Sequence, residues 1–177
     1  MLSLILAAVC VFGNLANPQT NTAWSPITSS EGRFSALMPD EIRSTNTLFT
    51  DTREGRLMTN LVSTTDQYLN EYLVSWTDYP DQASIEKRGS DKTFNRIRDA
   101  YARSRDLTVF QEASLTSQGY PARTYSMRTS DGKRIIRVQI YFVKNRFYQV
   151  SADTRVADST DGEKFLNSFK LLSGTLI

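Results

Sequence analysis

From Trp24 onward, apolar and polar residues mostly alternate in short runs closed by turn residues, and this period of two restricts most of the chain to antiparallel strands. Residues 33–38 form one run, stopped by Pro39. Residues 42–49 and 56–63 flank Asp51-Thr52-Arg53-Glu54-Gly55 and predict a hairpin. Residues 68–76 follow, with Tyr72, Val74 and Trp76 on one face. Later come 107–115, then a turn at Gln118-Gly119-Tyr120-Pro121, then 122–128. Ser130-Asp131-Gly132-Lys133 is a hairpin turn into 135–143, the most apolar strand, placed in the interior of a sheet. Lys144-Asn145-Arg146 turns the chain into 147–152.

The period changes twice. Within 84–105, Phe94, Ile97 and Tyr101 recur at helical spacing beside Ala100, with Gly89 breaking the start. At the end, Phe165, Leu166, Phe169 and Leu172 mark a helix over 163–172. Four strands, a helix, four strands and a helix make an α+β domain, an antiparallel β-sheet flanked by helices.

Composition narrows the chemistry. The 177 residues contain no His, and the single Cys, Cys10, lies inside an uncharged apolar run from Leu2 to Phe12. That run is shorter than the roughly twenty residues of a membrane span and suits the core of a signal peptide. Residues 1–16 therefore read as a leader, cut after Gly13 or Ala16, residues 17–23 as a linker and 24–173 as one domain. A buried N-terminal strand or helix is the competing reading, and a retained tether lipidated at Cys10 is a weaker third. A mature chain cut there has no thiol nucleophile, no imidazole base, no disulfide and no His or Cys metal ligand. No catalytic residue, metal site or cofactor is expected, and the net charge of +2 argues against nucleic acid as a partner.

Several motifs carry a family resemblance. They are the opener Trp24…Ser30-Glu31-Gly32-Arg33-Phe34-Ser35-Ala36-Leu37-Met38-Pro39, then Gly119-Tyr120-Pro121-Ala122-Arg123, the segment Arg137…Tyr141-Phe142-Val143…Asn145-Arg146-Phe147-Tyr148-Gln149, and Phe165-Leu166-Asn167-Ser168-Phe169-Lys170. Together they resemble the small exported bacterial members of the PsbP-like α/β/α sandwich superfamily. The resemblance implies a mostly non-enzymatic role: an accessory or assembly subunit of a membrane complex, or a module that binds protein partners. Some photosynthetic members bind metal ions, but this chain has no His with which to reproduce such a site, and no functional residue carries over.

Four constellations stand out. Residues 84–105 hold seven basic against three acidic side chains, and Lys92, Arg96, Asp99 and Arg103 share the helix face opposite the apolar stripe. This face fits an acidic protein partner or anionic lipid headgroups, although a plain solvated exterior is the commoner explanation of such a pattern. Trp76-Thr77-Asp78-Tyr79-Pro80-Asp81 sets aromatics beside two carboxylates at a strand end. Trp76, Asp78, Tyr79 and Asp81 form either the rim of a cleft or a simple turn, with Asp78 and Asp81 the candidates for a hydrolase working by carboxylates alone. Asp158 to Glu163 resembles a calcium loop without its ligand spacing, and Thr160 with Glu163 instead makes a capping box. Tyr141, Arg146 and Tyr148 form an interface anchor or a packed strand face. The reading is an exported, non-catalytic protein-binding or assembly module at a membrane surface. A carrier holding a small ligand between sheet and helix is the alternative.

Overall fold

A computed structural model describes residues 23–40, 43–52, 55–80 and 91–172. The leader, Cys10, nearly all of the linker, Asp81 and Gly89 lie outside the described residues. The strands are β1 (Trp24–Ser29), β2 (Phe34–Pro39), β3 (Arg43–Thr52), β4 (Gly55–Thr65) and β5 (Glu71–Asp78), then β6 (Leu107–Ser117), β7 (Tyr120–Thr129), β8 (Arg134–Val143), β9 (Arg146–Arg155) and β10 (Lys170–Leu171). Helix α1 (Asp91–Ser104) divides the two groups, and a single 3-10 turn (Val156–Asp158) leads into α2 (Ser159–Ser168).

The strands form two antiparallel sheets, a small one ordered β1-β2-β10 and a large one ordered β3-β4-β5-β9-β8-β7-β6. The two halves of the chain meet where β5 pairs with β9, Trp76 opposite Tyr148 and Asp78 opposite Arg146. Turn chemistry sets the register elsewhere. Gln118 and Gly119, at φ of 54° and 85°, reverse β6 into β7 as a two-residue primed turn.

The expectation of a sheet flanked by helices is corrected here. Strands make up 62% of the described residues, and the fold is β-rich, with two sheets rather than one sheet between helical layers. Two strands were not expected from the sequence. β1 contains Pro26, which an edge strand accommodates because no ladder hydrogen bond is required of it. β10 is two residues long, too short to show alternation. The final helix starts at Ser159 and ends at Ser168, because Phe169 is already extended at φ −65° and ψ 127°. Its N-cap position is Asp158, without a side-chain cap, so Thr160 and Glu163 sit inside the helix and make no capping box; Glu163 accepts instead from Arg137 at 2.8 Å.

Each face of the large sheet buries its own core. On one face, β2 and α2 pack on β5 and β9, gathering Phe34, Met38, Tyr72, Val74, Trp76, Tyr148, Val150, Phe165 and Phe169. Phe169 stands at the centre, with ring centroids 5.6 Å from Phe34, 5.2 Å from Tyr141 and 5.8 Å from Tyr148. Tyr141 and Tyr148 are therefore core residues and not interface anchors. On the other face, α1 covers Tyr125, Met127, Ile136, Val138, Ile140 and Phe142 with Phe94 and Ala102.

Candidate functional site

Helix α1 is held down by more than its apolar stripe. Phe94 meets Phe142 edge-on at 5.3 Å, and its carbonyl accepts the Tyr125 hydroxyl at 2.9 Å. Beneath the helix, β6 carries a bulge between Val109 and Gln111. The extra residue reverses the alternation, so Glu112 pairs with Tyr125 and faces the helix instead of the opposite side. There Glu112 accepts hydrogen bonds from both Arg98 of α1 and Arg123 of β7. Arg123 is 8% exposed and also donates to Asp91 at 2.5 Å and Asn95 at 3.3 Å, while Arg98 donates to Asp99 at 2.8 Å. Burial opposes the charge on Glu112, but the hydrogen bonds from Arg123 and Arg98 outweigh it and hold the carboxyl below its usual range.

This network sorts the cations. Arg98 and Arg123 are committed to carboxylates, and Arg105 reaches Asp153 at 3.7 Å and Glu71 at 4.0 Å. Lys92, Arg96 and Arg103 are exposed, and none has a carboxylate within 4.0 Å among the described residues. The sequence-read basic face is thus brought together on the outside of α1.

A second candidate lies at one end of the sheets, where a cleft of about 540 Å³ opens. Arg33, Asp78, Gln118, Tyr120, Lys144 and Arg146 supply its polar lining, and Val143, Leu171 and Leu172 its apolar lining. Arg146 grips Asp78 in a two-point pair, both bonds 2.6 Å, and donates to the Glu31 carbonyl at 2.7 Å. Tyr148 donates to the Gly32 carbonyl at 2.7 Å, and burial raises its hydroxyl pKa. These bonds explain the opener. A Cβ on Gly32 would lie 2.5 Å from the buried Phe34 ring, so only glycine lets the 31–33 segment close over Arg146 and Tyr148. Three cations against one carboxylate leave the cleft positive.

The expected rim is largely displaced. Trp76 is buried in the core, its indole N–H without a hydrogen-bond partner among the described residues. Tyr79 packs with the α1 side of the sheet, and Asp81 lies outside the described residues. Asp78 alone lines the cleft, and both its oxygens are taken by Arg146. Arg33, Gln118, Tyr120 and Lys144 were missed by sequence reasoning because they come from separate turns; their shared signal is that turns alternate between the two ends of a sheet. Asp158 accepts from Asn70 at 3.1 Å and Arg155 at 2.7 Å, so its carboxylate ties the chain rather than opening a calcium loop.

The architecture is that of the PsbP fold. The solution structure of cyanobacterial PsbP (CyanoP) from Synechocystis sp. PCC 6803 matches with a TM-score of 0.58, over 88% of this chain and 96% of that one, at 9% sequence identity. At that identity the likeness shows the fold alone, and the PsbP-like resemblance read from the motifs holds in that sense. A protein of unknown function from Pseudomonas aeruginosa, PA94, matches over 79% of this chain and 88% of that one, with 11% identity and a TM-score of 0.36, too distant to carry an argument. No family model and no curated protein matches the sequence.

Glu112→Gln removes the charge that Arg98 and Arg123 share while keeping the side-chain shape. We expect it to lower the unfolding free energy by about 2–3 kcal/mol at neutral pH, since Arg123 is left buried with less compensation. The native pKa of Glu112 lies below its unfolded value, so its contribution is complete above the unfolded pKa of about 4.3 and is lost as pH falls through the lowered native value. Urea titrations should therefore show the gap between wild type and variant narrowing below about pH 4. A gap under about 0.5 kcal/mol at pH 7 contradicts the clamp.

Proposed function

We propose that this chain is an exported, non-catalytic protein-binding module that docks on a membrane-associated partner through the outer face of α1. The observation that carries this reading is the sorting of cations around the helix. Arg98 and Arg123, at the seam between helix and sheet, are paired with Glu112, Asp91 and Asp99, whereas Lys92, Arg96 and Arg103 stay exposed without an ion-pair partner among the described residues. Such a face complements an acidic surface, speeds encounter, and weakens as salt rises. The apolar run at the N-terminus supports export, and the motif resemblance to the PsbP-like superfamily implies an accessory role. Arg96→Glu with Arg103→Glu should reduce retention on native membranes about tenfold or more in a co-sedimentation assay, with wild-type retention falling as salt is raised. Undiminished retention of the variant removes the helix face from consideration. Equal retention on protein-free vesicles of anionic phospholipid replaces the protein partner by the lipid surface.

The cleft favours a second reading, a carrier of a small anionic ligand with an apolar body. It sits at the sheet ends rather than between sheet and helix, and it joins Arg33 and Lys144 to Val143, Leu171 and Leu172. A carrier should melt several degrees higher with short-chain carboxylates or organic phosphates in excess, and Lys144→Glu should abolish the rise. A flat melting temperature across both classes contradicts this reading.

A further inference from the structure

The large sheet has two edge strands, and they are protected very differently. β6 is interrupted by its bulge and packs Leu107 and Val109 under α1. β3 pairs with β4 over all ten of its residues without a register break. It contains no Pro, Gly or Lys, it is exposed from Arg43 to Asp51, and no described strand pairs with its outer side. Protein sheets ordinarily avoid such an edge, because its unpaired N–H and C=O groups form a template for another strand. Its far end also runs past β5, whose pairing with β4 stops at Thr59, and presents Leu48, Phe49 and the opposing Met58 to solvent.

We propose that β3 pairs antiparallel with β3 of a second copy of this chain, about a two-fold axis through Thr47. Charge selects the register. Arg43 and Asp51 are the two charged residues of β3, and centring on Thr47 sets Arg43 opposite the partner's Asp51, with the reciprocal pair across the axis. The same register places Thr45 opposite the partner's Phe49, Ser44 opposite the partner's Thr50 and Thr47 opposite itself. These are aromatic–β-branched and hydroxyl pairs that stabilise antiparallel ladders. Asp51 is 92% exposed and meets Arg56 only at 3.9 Å. Arg43 meets Asp40 at 3.5 Å and donates to Ser25 at 2.6 Å, surface contacts that it exchanges for the partner's Asp51. A self-complementary strand gives an isologous, closed dimer that removes the open edge.

Sedimentation velocity on the protein as expressed, across a dilution series, tests this. Wild type should dissociate reversibly from dimer to monomer. Asp51→Arg places like charges opposite each other twice and should weaken the dimer about tenfold or more. Adding Arg43→Asp to that variant reverses both partners and should restore wild-type association. A wild-type monomer at every concentration overturns the proposal, as does a dimer indifferent to Asp51→Arg. A double variant no tighter than Asp51→Arg alone overturns the register.

Discussion

Arg123 lies almost fully buried beneath α1, where an unpaired guanidinium would cost several kcal/mol. It is stable there because Glu112 and Asp91 accept its hydrogen bonds and its cation stands 5.3 Å over the Phe94 ring. Glu112 also takes Arg98, so one carboxylate ties α1 to two strands of the sheet. The rotation of the helix follows. With Arg98 drawn inward and Phe94 and Ala102 packed on the sheet, the opposite face must carry Lys92, Arg96 and Arg103. The exposed basic face of α1 is thus the complement of a buried ion network, and the β6 bulge that aims Glu112 underlies both.

The opposite face of the sheet is organised by a comparable bond set. Arg146 leaves the β8–β9 turn, grips Asp78 at the end of β5, and reaches the carbonyl of Glu31 before β2. Tyr148 does the same to Gly32 from the next inward position. The small sheet is thereby fastened to the large one at its polar end, while Phe169 fastens it at its apolar centre. The cleft is the space left beside this fastening, which accounts for its mixture of cations and leucines.

Much of the ladder was legible in the sequence, because alternation and turn residues act locally. The hairpins 43–65 and 120–155 follow directly from them. The helical layers were over-read. Pro26 concealed β1, and the extended Phe169 turned the last residues of an expected helix into β10. The Lys92, Arg96 and Arg103 face could be read because helical spacing needs no tertiary information. Glu112 could not, since simple alternation assigns it to the wrong side of β6 until the bulge is known. The misplacement of Trp76 was avoidable: its spacing from Tyr72 and Val74 already set it on the buried face, and only Asp78, beyond the cover of the core, emerges at the cleft.

The most direct measurement of the central claim is site-specific photocrosslinking in the native host. A photoreactive residue replaces Arg96, Arg103 or, on the cleft, Lys144, one at a time. Positions 96 and 103 should each yield an adduct with the same membrane-associated protein, and position 144 should not. Adducts from position 144 alone, with none from the helix, would contradict the account and move the functional surface to the cleft.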